Sequence, residues 1–265
     1  MIVRHADLPP PFSGGNIRLR LGPEGRPYLV ADRLLLGLAV EENQTPLIKR
    51  IPGTVPVDDA AWLADGTFMV IAGKKLGFPK NDGIDVLIEL PDNKMRLTAA
   101  SLESFYLFGG TTTEQRRSLF LYEKGGKLLH LLRMPEPIGA VTGTGSLTFM
   151  SVGNVIFRLL PGKKVAPIYR ADAPVTALAL AGTGGLFFTT LQGAGFVVKE
   201  MEGFTFAQGR GPKLAAHGQN LFFYFPQFGA VKISPASSFD SLAETFRETI
   251  AERRTQPEDQ KDKAK

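Results

Sequence analysis

A unit of small residues, a polar turn and a hydrophobic strand recurs along the chain. One copy reads ALALAGTGGLFF over residues 177–188. Aligned on the residue that opens the hydrophobic strand, six copies begin at positions 33, 67, 104, 146, 185 and 220, so 34 to 42 residues separate one copy from the next. Repeats of about 40 residues with four short strands each are typical of β-propeller blades and not of helical repeats.

The fifth copy displays its four strands most plainly. Glycine-containing turns separate them, as short hairpins require. Counted outward from the axis, the predicted strands are 175–181, 186–191, 196–201 and 204–208. The first copy, at residues 29–36, does not divide into four strands in the same way.

Side chains are smallest in the first strand of each copy. Those strands are rich in alanine, glycine and threonine, whereas the second strands carry leucine and phenylalanine. In a propeller the first strands crowd around the axis, and bulky side chains fill the space between neighbouring sheets. The gradient in size therefore favours a propeller over a two-sheet sandwich.

The sixth copy lacks one strand. After residues 221–224 only one short strand, 230–234, precedes the C-terminal segment. Residues 16–21 alternate apolar and basic side chains, and we expect them to supply the missing strand, because pairing of the chain ends removes open sheet edges. The sequence thus predicts an all-β fold: a six-bladed β-propeller closed by pairing of the N- and C-terminal strands, with a short C-terminal helix.

Three regions follow from these patterns. Residues 1–15 form an extended arm and residues 16–236 form the propeller. Residues 237–265 contain a capping box followed by an apolar stripe, and they end in a polar, charge-balanced tail. We expect an amphipathic helix over residues 241–254, docked on the propeller or on a partner, and a disordered tail.

Composition excludes several kinds of site. The 265 residues include no cysteine, which rules out disulfides, thiolate metal sites and a cysteine nucleophile. The net charge of +5 comes from 31 lysines and arginines against 26 acidic residues, a mild surplus that does not favour a nucleic-acid binder. No glycine-rich stretch has the spacing of a phosphate or dinucleotide motif, so we predict no cofactor.

The sequence leaves the cellular compartment open. Residues 1–11 lack the apolar core of a signal peptide, and no apolar run approaches the ~20 residues that span a bilayer. We therefore expect no membrane span. The protein is expected in the periplasm if a signal peptide has been removed, and in the cytoplasm otherwise.

Two adjacent carboxylates are the weak candidates for a metal site. Asp58 and Asp59 open the first strand of the second copy, near the mouth of the predicted axial channel. Divalent cations need several oxygen ligands. Other copies offer Thr98, Thr142, Thr176 and Ala215 at comparable places. The alternative is that both aspartates are solvated loop carboxylates.

Two long loops form the predicted contact surface for a protein partner. We place them at residues 73–83 and 109–118, in adjacent blades, where each joins a second strand to a third. Apolar side chains within a basic rim suit a protein–protein contact better than a catalytic floor. The predicted partner-binding residues are Lys74, Lys75, Leu76, Phe78, Lys80, Arg116 and Arg117.

Short stretches of the repeat resemble a known superfamily. ADGTF at residues 64–68 and NVIFRL at residues 154–159 are similar to the second and third strands of six-bladed propellers of the TolB-like, NHL-like and gluconolactonase-like kinds. The resemblance covers about residues 16–236. It implies the fold but not the function, because one fold serves many functions.

The sequence therefore favours a binding role. In the absence of a catalytic signature, we predict a non-catalytic protein-interaction or scaffolding propeller in a bacterial multiprotein assembly, such as one of the cell envelope. Two alternatives stay open. One is a metal-dependent propeller hydrolase or lyase acting on a small molecule, and the other is a polyanion-binding protein.

Overall fold

The strands form an all-β propeller. The computed structural model describes residues 2–3, 12, 17–39, 45–53, 55–63, 65–101, 103–123, 125–144, 147–180, 185–199, 202–208, 213–217, 220–225 and 229–233. Within them lie 24 strands, one four-residue α-helix and one three-residue 3-10 turn. The strands belong to six four-stranded antiparallel sheets. The predicted all-β propeller architecture is confirmed.

The sheets are numbered in chain order. Strand β1 (Ile2–Val3) belongs to sheet 6, which otherwise contains the last strands of the chain that the structure describes. Sheet 1 contains β2 (Arg18–Leu21), β3 (Pro27–Ala31), β4 (Leu34–Gly37) and β5 (Leu47–Arg50). Sheet 2 contains β6 (Asp59–Trp62), β7 (Phe68–Ala72), β8 (Lys75–Lys80) and β9 (Gly83–Glu89). Sheet 3 contains β10 (Met95–Ala99), β11 (Ser104–Gly109), β12 (Ser118–Glu123) and β13 (Leu128–Arg133), with helix α1 (Thr113–Arg116) between its second and third strands.

The remaining strands follow the same order. Sheet 4 contains β14 (Ile138–Thr144), β15 (Leu147–Val152), β16 (Val155–Leu160) and β17 (Lys164–Arg170), with the 3-10 turn Pro161–Lys163 before the last strand. Sheet 5 contains β18 (Val175–Leu180), β19 (Leu186–Thr190), β20 (Gly193–Lys199) and β21 (Glu202–Gln208). Sheet 6 contains β22 (Lys213–His217), β23 (Asn220–Phe225) and β24 (Gly229–Ile233), and β1 pairs with β24 at its edge.

The first strands of the sheets surround the axis. Strands β2, β6, β10, β14, β18 and β22 contact one another in that order, and β22 returns to β2. Alanine and glycine are needed where they approach closely. A Cβ atom on Gly139 in β14 would lie 2.6 Å from the carbonyl oxygen of Val175 in β18. The prediction of small residues near the axis thus has a steric basis.

The hydrophobic core lies between neighbouring sheets. Leu29, Leu36 and Phe222 belong to a cluster between sheets 1 and 6, and Val30 and Val70 belong to one between sheets 1 and 2. Corresponding clusters fill the spaces between sheets 2 and 3, 3 and 4, and 4 and 5. From sheet 6 through sheet 1 to sheet 5, each sheet is therefore buried against the next, and removal of this apolar surface from water drives the assembly.

The chain ends meet, but not through the predicted strand. Ile2 pairs with Val231 and Val3 with Ala230, so β1 is the outer strand of sheet 6. Residues 18–21, which we expected in this sheet, instead form β2, the axial strand of sheet 1, and pair with β3. The expectation was wrong because an alternating apolar and basic pattern is also what a strand beside a charged axial chamber shows.

The incorrect placement of residues 18–21 also explains why the first copy was aligned on the wrong strand. Residue 33 precedes β4, a third strand, whereas the other five copies are aligned on second strands. The second strand of sheet 1 begins at Pro27, 41 residues before Phe68 in β7. With this correction the first sheet has the four strands that the sequence alone did not reveal.

Two further expectations concern the ends of the chain. The helix predicted over residues 241–254, and the tail after it, lie outside the described residues. Phe12, within the predicted arm, is buried in the cluster between sheets 1 and 6. In the described part of the chain, no helix is long and apolar enough to cross a bilayer.

Candidate functional site

An axial chamber of about 670 Å³ lies inside the ring of first strands. Strands from all six sheets contribute to its wall. Small residues such as Ala140 and Ala177 line part of it, because these strands pack too closely for larger ones. The wall also carries four cationic side chains, listed here as Arg18, Arg20, Arg96 and Lys213. A chamber of this size accommodates a small organic molecule.

Arg20 connects sheets 1, 2 and 3 through hydrogen bonds. Its Nη2 donates to both carboxylate oxygens of Asp59, at 2.6 and 2.7 Å, and its Nε donates to the carbonyl oxygen of Ala60 at 2.8 Å. Asp59 in turn accepts a hydrogen bond from the backbone N–H of Leu97 in sheet 3, at 3.0 Å. The charge of Arg20 is therefore compensated within the wall.

Asp59 is a structural carboxylate and not a solvated one. Its side chain is fully buried, and it also accepts from the backbone N–H of Ala60 at 2.9 Å. Asp58 accepts from the backbone N–H of Gly73 at 2.8 Å. The expectation of two solvated loop carboxylates was thus wrong for Asp59, because Arg20 and two N–H groups occupy its oxygens.

Arg96 lies in the wall from sheet 3. Its guanidinium carbon is 4.5 Å from the centre of the Phe108 ring, and its Nη2 donates to the carbonyl oxygen of Ile138 at 3.4 Å. Burial, followed by repulsion from Arg18, lowers the pKa of Arg96 to about 10. The ring face and the carbonyl dipole hold the cation, and neither neutralises its charge.

Arg18 and Lys213 complete a group of three cations. Burial lowers the pKa of Arg18, and Asp59 only partly opposes that effect. Burial, and then repulsion from Arg18 and Arg96, lowers the pKa of Lys213. The Nε of Arg18 is buried and has no hydrogen-bond partner in the described part of the chain. We call Arg18, Arg96 and Lys213 the axial cation cluster.

The two ends of the chamber differ in polarity. Arg18 and Lys213 stand at the start of their strands, whereas Leu21, Trp62 and Leu180 end theirs, about 10 Å further along the axis. All five residues line the chamber. One end is therefore cationic and the other apolar, an arrangement that fits a molecule with an anionic group and an apolar body.

The predicted contact loop at residues 73–83 is a strand between two turns. Gly73 and Lys74 form the turn between β7 and β8, and Lys75 to Lys80 form β8. Leu76 is fully buried in the core between sheets 2 and 3, and Phe78 packs against it. Leu76 thus has no surface to offer a partner, contrary to the prediction.

The second predicted loop, residues 109–118, contains helix α1. Arg116 is exposed, and Arg117, which caps the helix, is half-buried. Lys80 forms an ion pair with Asp85 at 3.0 Å. It lies at the far end of β8, about 20 Å from Lys74, so these lysines do not share a face. It stays a prediction that a protein partner binds through the other basic residues, Lys74, Lys75, Arg116 and Arg117.

Sequence reasoning did not find the axial cation cluster. The available signal was a charged residue in strands whose counterparts in other copies hold alanine or threonine, such as Thr98 and Ala140. Arg18 was assigned to another sheet. Arg96 and Lys213 each lie at or beside the start of a strand, where a charged side chain is expected to be solvent-exposed. Their convergence appears only once the strands are placed around one axis.

Comparisons with known proteins identify the fold. No protein-family model and no curated sequence matches the chain. A gluconolactonase from Xanthomonas campestris superposes with a TM-score of 0.61 at 11% identity, covering 82% of this chain and 85% of that one. The calcium-binding protein regucalcin from Agrobacterium tumefaciens gives 0.60 at 14% identity, with coverages of 82% and 89%. An inactive virginiamycin B lyase from Staphylococcus aureus, solved with quinupristin, gives 0.58 at 13% identity, with coverages of 85% and 82%.

The predicted resemblance to gluconolactonase-like propellers is confirmed at the level of the fold. The prediction of a non-catalytic scaffold is contradicted, because these structural neighbours are two enzymes and a calcium-binding protein. Identities of 11–14% relate folds only and transfer no catalytic residues. The function of this chain must therefore be argued from its own chamber.

Proposed function

We propose that the chain is a hydrolase or lyase that binds a small anionic molecule in the axial chamber of a six-bladed propeller. The proposal keeps the hydrolase or lyase reaction of the alternative left open by the sequence, but it replaces the metal dependence of that alternative with an anionic substrate. The observation that carries it is the axial cation cluster, whose three cations line a small-molecule chamber and form no ion pair with a carboxylate of the described residues.

Electrostatic balance supports an anionic ligand. Among the described residues, Asp59 is the acidic side chain that forms an ion pair with a residue of the chamber wall, and its partner is Arg20. No described carboxylate forms an ion pair with Arg18, Arg96 or Lys213. Cations removed from water and left uncompensated raise the free energy of the folded protein. An anion that enters the chamber relieves this cost, so its binding is favoured.

The same cations suit the chemistry of hydrolysis or elimination. Both reactions develop negative charge on an oxygen or an adjacent carbon in the transition state. Guanidinium groups fixed in a desolvated wall stabilise such charge more strongly than water does, because they are already oriented. Arg96, held by Phe108 and the Ile138 carbonyl, is such a fixed donor.

A divalent cation does not fit this wall. Calcium binding of the kind named for regucalcin requires several oxygen ligands around one point. The described residues contain no group of three acidic or histidine side chains with suitable spacing, and the cluster in the wall repels a cation. We therefore propose metal-independent chemistry and derive no step through a metal.

The proposed number of blades is six, one for each sheet. Five sheets consist of consecutive strands, and the sixth combines β22, β23 and β24 with β1. We count this composite sheet as a blade because β22 lies in the axial ring between β18 and β2. The cation cluster draws on this closure, since Lys213 comes from the composite sheet and Arg18 from its neighbour.

A substrate panel tests the proposed function. Lactones and esters that carry a carboxylate or phosphate would be compared with neutral analogues of the same size. We expect turnover of anionic members that persists in EDTA and falls at least about tenfold in Arg96→Gln, the loss typical of one charged hydrogen-bond donor. Arg50→Gln, at an exposed site on β5, is the matched control. Preference for the neutral analogues, or loss of turnover in EDTA, would overturn the proposal.

A further inference from the structure

Lys213 is the one amine in the axial cation cluster. It is the first residue of β22, lines the chamber and is half-buried. Strand β22 contacts β2, which carries Arg18, and β18. The lysine therefore faces the space that two guanidinium groups make attractive to an anion.

The surroundings of Lys213 make its amine easier to deprotonate than that of an exposed lysine. Burial and the charges of Arg18 and Arg96 lower its pKa, and no carboxylate of a described residue opposes them. A lysine is nucleophilic only when it is unprotonated, and neighbouring cations and desolvation are what activate catalytic lysines elsewhere. Arginine remains protonated under the same conditions, so the cluster divides into two anion-holding groups and one reactive amine.

We propose that Lys213 is a nucleophile that forms an imine with anionic aldehydes or ketones bound in the axial chamber. This inference rests on the proposed anion-binding function and narrows its substrate class to carbonyl compounds that carry a carboxylate or phosphate. Arg18 and Arg96 hold the anionic group, and Nζ of Lys213 lies beside the carbonyl carbon.

The step balances without another reactant. The neutral amine attacks the carbonyl carbon and forms a C–N bond, while the C=O double bond becomes a C–OH group. The carbonyl oxygen then leaves as water with both amine hydrogens, which leaves a C=N bond between Lys213 and the ligand. Protonation of that nitrogen withdraws electrons from the neighbouring carbon atoms, so the imine serves the bond cleavage expected of a lyase.

Pyridoxal 5′-phosphate is a suitable probe because it carries an aldehyde and a phosphate. The full-length protein would be treated with the probe near neutral pH, reduced with borohydride, digested and mapped by mass spectrometry. We expect Lys213 to be labelled at least about tenfold faster than the exposed Lys74 and Lys75, because those amines lie on the surface, away from the guanidinium groups that would hold the phosphate. Inorganic phosphate should slow labelling at Lys213 alone.

Variants separate the contributions of the cluster. Lys213→Arg keeps the positive charge and should abolish the selective label, and Arg96→Gln should reduce it, whereas Arg50→Gln should leave it unchanged. Thermal unfolding of each variant checks that it is folded. The labelling map of the wild-type protein needs no variant, so equal labelling of Lys213, Lys74 and Lys75 overturns the inference even if the variants fail to fold.

A second probe distinguishes failure of the inference from failure of the proposed function. Pyridoxine 5′-phosphate carries an alcohol in place of the aldehyde and cannot form an imine. If it binds by calorimetry but the aldehyde does not label Lys213, the imine is wrong and the anion site stands. If it does not bind, both proposals fail together.

Discussion

Arg20 shows how one buried ion pair holds several sheets in register. Asp59 is fully buried and Arg20 is largely so, and their bond connects sheet 1 with sheet 2, while Asp59 reaches sheet 3 through Leu97. Removing one partner leaves the other charge buried and unpaired. We expect Arg20→Met to lower the free energy of unfolding by about 3–5 kcal/mol in urea titrations.

The exposed pair of Arg133 and Glu114 provides the control for that measurement. Its side chains are 51% and 64% exposed, and the bond is 3.3 Å. Arg133→Met should cost no more than about 1 kcal/mol, because water screens such a pair. Equal losses for Arg20→Met and Arg133→Met would mean that burial of Asp59 is not important for stability.

Gly77 illustrates a backbone constraint in the middle of β8. The register between β8 and β9 shifts at this residue, and a Cβ atom placed on it would lie 2.0 Å from the carbonyl oxygen of Asp85. The strand pair must separate to admit a methyl group. We expect Gly77→Ala to destabilise the protein by about 1–3 kcal/mol in the same titration. Gly125→Ala is a control for loss of glycine at a site with free space, although its positive φ adds strain.

At the scale of elements, Asp92 connects two sheets through a short helix. Its carboxylate accepts hydrogen bonds from the hydroxyl and N–H of Thr111 and from the N–H groups of Thr112 and Asn93, at 2.6–2.8 Å. Thr112 is the N-cap of α1. The connection from β9 to β10 is thereby fixed to the loop between β11 and β12.

These bonds predict a pH dependence. Burial alone would raise the pKa of Asp92, but the hydroxyl and the three N–H groups hold it well below its usual value of 3.8. A lowered pKa in the folded state stabilises the protein above pH 3.8, and the contribution is lost as the pH falls through the folded-state pKa. Asp92→Asn should therefore cost about 1–3 kcal/mol at neutral pH and less in acid. Asp85→Asn, at an exposed ion pair, should show little change at either pH.

Strand β8 also shows where the sequence misled us about an element. Residues 73–83 were expected to form a loop, but Gly77 and Pro79, which are unusual within a strand, lie in β8. The structure accommodates Pro79 because β7 pairs with β8 only from Lys75 to Gly77, so no ladder bond to β7 is required of it. Whether a proline interrupts a strand depends on the extent of the neighbouring strand, which sequence alone does not specify.

At the scale of the whole molecule, the repeat predicted the propeller because the size gradient reflects its packing. Small residues follow from crowding at the axis and large ones from burial between sheets, so both leave a signal in the sequence. The sequence predicted that N- and C-terminal strands pair, but it did not identify the closing strand, because β1 has only two residues and β2 alternates as an edge strand would. The candidate site was not predicted because Arg18 and Lys213 come close only when β2 lies beside β22 in the closed ring.

Closure can be tested with an engineered disulfide, because the chain has no cysteine of its own. Ile2 and Val231 are directly paired across β1 and β24, at a separation suited to a disulfide. We expect Ile2→Cys/Val231→Cys to oxidise within one chain and to raise the melting temperature relative to its reduced form. Intermolecular products alone, or a reduced pair after oxidation, would contradict the closure.

The central claim is that the axial cation cluster binds an anion, and calorimetry with pyridoxine 5′-phosphate at low salt tests it most directly. The account predicts saturable binding to the wild-type protein and to Arg50→Gln. It also predicts at least about tenfold weaker binding to the folded double variant Arg18→Gln/Arg96→Gln, because two charged donors are lost. No binding to the wild-type protein, or equal affinity in all three proteins, would contradict it.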